Sequence, residues 1–277
     1  MKKYAFLFIL MLLGANLSAW AESSIYNRAV DAFNKGQQGE ALELLMKVVE
    51  EEPTNGYAWA YLAAIKRDRQ EYEDAQEAAN LALECLPEEA AAFAAWTRNE
   101  LAHILVAQAD TAGAIDQLTR CIEAVPDDLD YRYYRASLEQ AVNRLDEAEQ
   151  DYRYLAERDS VNLTGWLGLG CVLGAKGKPA EAIEAFNKTI VGQNTDHSSY
   201  SYRATEFFNL GLYEDAMDDV IRSLERKPQD NIHAEWVLRH IANVAKETAI
   251  QKLNDQRIAD PEHGEYWSNL MLSIGSK

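Results

Sequence analysis

Apolar residues recur every three or four positions through most of the chain, which is the spacing of amphipathic helices. Residues 163–194 show the pattern well, because two such stripes are separated by the helix-breaking segment Gly177-Lys178-Pro179. The apolar and small residues of the two stripes are Trp166, Leu169, Gly170, Leu173, Ala182 and Phe186. Strand-like alternation and Gly/Ser-rich linkers are absent from the sequence. The pattern therefore predicts an all-α protein that is built from pairs of helices and has no second domain.

Small residues repeat along the chain at intervals of about 34 positions, which indicates an internal repeat. A first series consists of Ala41, Ala75, Ala114, Ala148, Ala182, Ala216 and Ala249. A second series consists of Ala29, Ala63, Ala102, Ala136, Gly170 and Ala204. Both series have the same five-residue insertion between their second and third members. Because two helices approach closely only where one presents a small residue, these positions predict the contacts within helix pairs.

The segment Trp166-x2-Leu169-Gly170, followed by Ala182-x3-Phe186, resembles the tetratricopeptide repeat. A second good match consists of Tyr200, Ala204, Phe207, Gly211, Tyr213, Ala216 and Pro228. The resemblance implies a right-handed superhelix of about seven helix pairs, closed by a single C-terminal capping helix. Ser160 and Asn194 stand where this family usually has proline, and Val237 replaces a small residue.

The repeats together form one predicted domain, residues 22–277, which covers the chain after its N-terminal segment. The predicted repeats are about 22–55, 56–89, 95–128, 129–162, 163–196, 197–230 and 231–263, and the predicted capping helix is 264–275. The extra residues near 88–94 are expected to lengthen a loop or the start of a helix.

Residues 1–21 have the composition of a secretory signal peptide. Two lysines precede the apolar run Ala5–Leu13, and small residues at Ala19 and Ala21 suit cleavage after Ala21. An uncleaved membrane anchor is the alternative, but the run is about half the roughly 20 residues that span a bilayer. The first cysteine is Cys85, so no cysteine lies near the cleavage site to carry a lipid. We therefore expect a periplasmic or secreted protein that is not inserted in the membrane after cleavage.

The charge and the reactive residues narrow the classes of function. The formal net charge is −18, which argues against nucleic-acid binding because phosphate contacts need lysine and arginine. The five histidines, His103, His197, His233, His240 and His263, have no compact metal-ligand spacing. The three cysteines, Cys85, Cys121 and Cys171, contain no C-x-x-C motif and are expected to be reduced. The sequence thus predicts no metal, no cofactor and no enzyme activity.

In the tetratricopeptide family a concave groove is lined by fixed positions of the first helix of each pair. Carried over to this sequence, the candidate peptide-binding residues are Tyr57, Arg67, Trp96, Asn99, His103, Tyr133 and Asn209. Aromatic rings and amides suit a peptide, because rings supply rigid contact area and amides bind its backbone. As an alternative, Tyr57, Trp96 and Tyr133 simply pack between neighbouring first helices.

We therefore predict a non-catalytic interaction scaffold of the cell envelope that binds a protein or peptide segment in its groove. One alternative is an assembly or secretion factor that recognises a folded partner through its convex or terminal surfaces. Another is the recognition subunit of an enzyme whose catalytic chain is separate. The sequence leaves the identity of the partner and the oligomeric state open.

Overall fold

The computed structural model describes residues 24–158, 163–191 and 195–275. The chain divides into two compact units, Met1–Leu138 (unit 1) and Glu139–Lys277 (unit 2). The expected signal peptide, residues 1–21, and the two positions that depart from the family's proline, Ser160 and Asn194, lie outside the described residues.

Fifteen α-helices account for most of the described residues, which contain no β-strand. In unit 1 they are α1 (Ser24–Asn34), α2 (Gln38–Glu51), α3 (Gly56–Asp68), α4 (Tyr72–Cys85), α5 (Ala91–Ala107), α6 (Thr111–Ala124) and α7 (Leu129–Ala141), whose last residues belong to unit 2. Those of unit 2 are α8 (Leu145–Arg158), α9 (Thr164–Ala175), α10 (Pro179–Thr189), α11 (His197–Asn209), α12 (Tyr213–Arg226), α13 (Ile232–Val244), α14 (Lys246–Ala259) and α15 (Gly264–Gly275). Within the three described stretches, no helix has the length and apolar character needed to cross a bilayer.

Consecutive helices pack as pairs within each unit. In unit 1, α1 packs on α2, α3 on α4 and α5 on α6; in unit 2, α9 packs on α10, α11 on α12 and α13 on α14. The last helix, α15, packs on α14. The prediction of an all-α fold with about seven helix pairs and a final single helix is confirmed.

The repeating alanines lie where the helices of a pair meet. All seven alanines of the first series have no solvent exposure, and the same is true of the five alanines of the second series. Gly170, the remaining member, is also buried, and the ring of Phe186 occupies the space that a side chain at Gly170 would need. The 34-residue period is therefore a period of close helix–helix contacts.

The turn inside each of the first six helix pairs has a residue in the left-handed region. Six turns have this conformation, with φ between 61° and 76°, at Gly36, Gln70, Ala109, Asn143, Gly177 and Gly211. The next residue then donates a backbone hydrogen bond to the carbonyl five positions earlier, as in Asp110 N to Leu105 O at 2.8 Å. This is the Schellman arrangement, which satisfies the free carbonyls at a helix end.

The insertion between the second and third repeats lengthens the start of a helix. Residues Glu88–Ala90 form a short 3-10 turn that continues into α5, which at 17 residues is the longest of the described helices. Of the two options that the sequence left open, the structure thus shows a lengthened helix start rather than a longer loop.

The C-terminal helix covers the apolar end of unit 2. Trp267 on α15 is only 1% exposed and belongs to the unit 2 core, as does Ile274. The indole nitrogen of Trp267 donates to Asp260 Oδ2 at 3.1 Å, which ties α15 to the end of α14. Leu270 and Met271 pack on the same core from one side.

Candidate functional site

In unit 1 the first helices of the pairs are α1, α3, α5 and α7. Helix α3 contacts α1 and α5, and a ring of α5 stacks on a ring of α7. We call the surface that these four helices share within unit 1 the first-helix face of unit 1. Four rings on α3 and α5 form an aromatic cluster, which consists of Tyr57, Tyr61, Phe93 and Trp96. The ring centroids of Tyr57 and Phe93 are 5.0 Å apart, and those of Phe93 and Trp96 are 5.1 Å apart. These separations are typical of favourable edge-to-face ring pairs.

The three aromatic candidates have different environments. Tyr57 is half-buried and packs against the unit 1 core, so part of its role is structural. Trp96 is half-buried within the aromatic cluster and keeps contact with solvent. Tyr133, on α7, is 43% exposed. Tyr57 therefore supports the core, whereas Trp96 and Tyr133 present ring surface to solvent.

Arg67 lies at the end of α3, where acidic side chains neutralise its charge. Its guanidinium makes an ion pair with the buried carboxylate of Glu100 on α5, and its Nη2 lies 2.7 Å from Asp68 Oδ1. Burial raises the pKa of Glu100, and the adjacent guanidinium offsets part of that increase. Arg67 is the only lysine or arginine among the candidate peptide-binding residues. Because its charge is neutralised, these residues offer a ligand no free positive charge.

His103 and Asn99 extend the same face along α5. The ring of His103 stacks on that of Tyr134, with centroids 4.5 Å apart. Desolvation, and to a lesser degree the charge of Arg67, lower the pKa of His103, so its ring is neutral at pH 7. Asn99 is half-buried, and its side-chain amide makes no hydrogen bond to any residue that the structure describes. This amide is thus available to a ligand.

A shallow pocket of about 480 Å³ opens beside these residues. Its lining consists of Arg67, Asp68, Gln70, Tyr72, His103 and Ala107. The pocket is predominantly polar, in contrast to the neighbouring aromatic cluster. Together they give the face an aromatic part and a polar part.

In unit 2 the corresponding first helices are α9, α11 and α13. Asn209, the remaining candidate, is exposed on α11, and its amide donates to Glu206 Oε2 at 3.2 Å. Rings of α11 and α13 also meet here, with the Phe208 and His240 centroids 6.2 Å apart. Within α13, the Trp236 and His240 centroids are 3.8 Å apart. His233 Nε2 lies 3.0 Å from Thr205 Oγ1. The two histidines of α13 are thus held by ring and hydroxyl contacts.

Sequence reasoning missed several residues of these faces. Tyr61 and Phe93 complete the aromatic cluster, and their spacing from Tyr57 and Trp96, four and three positions along a helix, was the available signal. Trp236, which is 44% exposed, stands three positions after His233 and could have been found in the same way. Glu206 occupies a repeat position that is aliphatic in the four preceding repeats, and this change within the 34-residue pattern was the available signal.

Reactive groups do not converge in the part of the chain that the structure describes. No group of three or more His, Cys, Asp or Glu side chains there could hold a metal ion. The three cysteines are unpaired. Burial raises the pKa of Cys85 to about 11 and the pKa values of Cys121 and Cys171 to about 12, so all three are protonated thiols at neutral pH.

Comparison with solved structures shows the same fold in tetratricopeptide-repeat proteins. The C-terminal part of a repeat-containing protein from Cytophaga hutchinsonii is 16% identical, with a TM-score of 0.69 over 87% of this chain and 97% of that chain. A tetratricopeptide repeat protein from Parabacteroides merdae is 19% identical, with a TM-score of 0.62 over 93% and 99% of the two chains. YrrB, described as having an unusual peptide-binding site, is 17% identical, with a TM-score of 0.59 over 70% and 97%.

Sequence comparison identifies the repeat directly. No curated protein sequence matches the chain. The tetratricopeptide repeat family model matches residues 99–162 and 136–198, which include the Trp166 and Ala182 motifs. With this match and the fold that it shares with such proteins, the chain contains tetratricopeptide repeats and has the fold of a tetratricopeptide-repeat protein.

Proposed function

We propose that this protein is a non-catalytic interaction scaffold that holds a protein or peptide segment on the first-helix face of unit 1. The observation that carries the proposal is the partly exposed aromatic cluster of Tyr57, Tyr61, Phe93 and Trp96, with the available amide of Asn99 beside it. Rings of this kind supply large contact area at low entropic cost, and an amide can pair with the backbone of a bound segment.

The charges of the face indicate which segment would bind. Arg67 is already neutralised by Glu100 and Asp68, and His103 is neutral at pH 7. A ligand that depends on an anionic terminus therefore has no cation to meet at these positions. With a net charge of −18, the chain favours neutral or basic segments.

The proposed compartment is the periplasm or the exterior of the cell. It rests on the composition of residues 1–21, with their apolar run and small residues before the cleavage position. The partner would then be an envelope or secreted protein. YrrB has a similar fold and is described as a tetratricopeptide-repeat protein with an unusual peptide-binding site, which supports the proposal of a peptide-binding role.

Selection of peptides from a random displayed library on residues 22–277 tests the binding face. We expect Trp96→Ala to weaken a selected peptide by about thirtyfold, and Asn99→Ala by about tenfold. Met46→Ala, on the exposed side of the second helix α2, is the matched control and should leave the affinity unchanged.

Thermal melting of the same variants separates binding from packing. Native-like melting with lost affinity supports the proposal. If both variants bind normally, the face is not the binding site. If both variants melt far below the parent protein, Trp96 and Asn99 have a structural role and the proposal fails.

A second candidate function, recognition of a folded partner by the end of the array, has one observation in its favour. Apolar side chains remain exposed on the last two helices, with Leu272 at 69% and Ile258 at 67%. Ile250 and Met271 line a shallow depression beside Leu272. Exposed apolar patches of this kind mark interaction surfaces. Substituting Leu272 and Ile258 with serine would abolish partner binding under this candidate and leave it unchanged under the first.

A further inference from the structure

One position of the repeat is aliphatic in four repeats and acidic in the next. This position lies two residues after each small residue of the second series, and in the first repeat it is the exposed residue Asp31. In the next five repeats its occupants are Ile65, Ile104, Leu138, Val172 and Glu206, and all five are buried. Glu206 is 7% exposed, so a carboxylate stands where the four preceding repeats place a core hydrocarbon. Because burying a charge lowers the stability of the fold, packing alone does not explain an acid at this position.

The neighbouring first helix leaves space for this carboxylate. Gly174, on α9, faces Glu206, and the carboxylate oxygen Oε1 occupies the place that a side chain at Gly174 would need. The equivalent positions of the three preceding repeats have the larger side chains Arg67, Val106 and Gln140. Glycine at this point thus creates a notch between α9 and α11 that contains the Glu206 carboxylate.

Glu206 differs from two other buried acids in having no positively charged partner among the residues that the structure describes. Glu100 pairs with Arg67, and Asp219 accepts two hydrogen bonds from Arg203, at 2.6 and 2.7 Å. Among the described residues, the one donor to the Glu206 carboxylate is the Asn209 amide, at 3.2 Å. Burial raises the pKa of Glu206, as expected for a carboxylate without a counter-ion.

An exposed amide lies at the edge of this notch. Asn209 lies on the same helix, one turn after Glu206, and is exposed. Cys171, on α9, borders the notch and remains a protonated thiol, because burial and the Glu206 carboxylate raise its pKa to about 12. Of the residues that the structure describes, the notch therefore contains one acid, one amide and one neutral thiol, and no cation.

We propose that Glu206 and Asn209 form a subsite for a single cationic side chain, lysine or arginine, of a protein segment bound to the first helices of unit 2. The cation would supply the missing charge, and a charge-assisted hydrogen bond to a carboxylate is stronger than a neutral one. The acidic chain, at −18, also favours a basic ligand. This inference rests on the proposed scaffold function, because it assigns the chemistry of one residue of a segment that such a scaffold binds.

The test uses N-acetyl-lysine methylamide and N-acetyl-arginine methylamide as probes, and N-acetyl-norleucine methylamide as the neutral control. The Asn209 side-chain amide signals of residues 22–277 are followed by nuclear magnetic resonance during titration. We expect saturable shifts with at least one cationic probe and none with norleucine. Glu206→Gln should weaken that binding by about tenfold or more. Glu184→Gln, an exposed acid on α10, makes the same change of charge and should have no effect.

A second variant and the melting temperature distinguish loss of probe binding from loss of folding. Gly174→Ala fills the notch and should also weaken probe binding. A melting temperature of Glu206→Gln at or above that of the parent protein shows that lost binding is not lost folding. Equal binding of lysine and norleucine, equal binding by Glu206→Gln, or no saturable shift with either cation would overturn the proposal.

The outcome is independent of the test of the proposed function. If selected peptides depend on Trp96 and Asn99 but the cationic probes do not shift Asn209, the subsite is wrong and the scaffold function stands. If the probes bind through Glu206 while selected peptides ignore Trp96 and Asn99, the subsite stands and the binding face of unit 1 is wrong.

Discussion

Replacement of Trp267 by alanine tests whether α15 closes unit 2 as a cap. Trp267 is 1% exposed and is the largest fully buried side chain among the described residues. Truncation of a buried tryptophan costs about 3–5 kcal/mol, and loss of the 3.1 Å hydrogen bond to Asp260 adds about 1 kcal/mol. Stacked repeats contact mainly their neighbours, so the loss should be concentrated in α13, α14 and α15.

Hydrogen exchange of Trp267→Ala, followed by mass spectrometry, measures the loss of stability in each helix. We expect protection of α13 and α14 to fall by the equivalent of about 3–5 kcal/mol, while α1 to α6 keep their protection. Leu272→Ala, on the same helix but 69% exposed, should change protection by less than about 0.5 kcal/mol. Unchanged protection of α13 and α14, or an equal loss throughout the chain, would refute the capping role.

Three further predictions follow from particular contacts. Ala109 has a φ of 65°, a left-handed conformation that is strained for alanine and not for glycine. Ala109→Gly should therefore raise the free energy of unfolding, measured by urea titration, by up to about 1 kcal/mol. A decrease would refute the backbone strain at Ala109. Arg67→Leu leaves the Glu100 carboxylate buried without its partner and should lower the free energy of unfolding by about 3 kcal/mol. The double variant Arg67→Leu/Glu100→Leu should recover most of this loss of stability. If the double variant is as unstable as Arg67→Leu, the ion-pair account is contradicted. Glu206 has a folded-state pKa above its ordinary value of 4.5, so the folded state binds its proton more tightly and loses stability as the pH rises from about 4.5 through the folded-state pKa. Glu206→Gln should remove this part of the pH dependence and raise the melting temperature at pH 7, and parallel melting curves of the two proteins between pH 4.5 and 7 would count against it.

The sequence was sufficient for the fold because the contacts that define it repeat. Alanine at a 34-residue interval has one physical explanation, a close helix–helix contact, and the structure places every such alanine in the core. The final helix could be predicted in the same way from the stripe of Trp267 and Leu270. These features depend on local spacing, which a single sequence displays directly.

The features that were not predicted depend on tertiary contacts. Gln70 and Ala109 occupy left-handed turns that their residue types disfavour, because the flanking helices determine the backbone there. The ion pair of Arg67 with Glu100 joins residues 33 positions apart on two helices, and no local pattern relates them. The burial of Glu206 depends on the neighbouring helix α9, where its carboxylate lies against Gly174.

The candidate residues of the first-helix face were only partly interpretable from their positions. The family's groove positions identified Trp96, Asn99 and His103, which lie on the same helix and on the same face. The same positions could not show that Arg67 is neutralised or that Tyr57 also supports the core, because both depend on side chains from neighbouring elements.

The central claim, that the partner lies on the first helices of unit 1, is tested most directly by photocrosslinking in the cells that produce the protein. Tyr133 on α7 and Met46 on α2 are similarly exposed, at 43% and 50%, but belong to a first and a second helix respectively. Each would be replaced in turn by p-benzoylphenylalanine and irradiated in living cells. We expect a discrete protein adduct from position 133 and none from position 46. An adduct from position 46 alone would place the partner on the second helices and contradict the account.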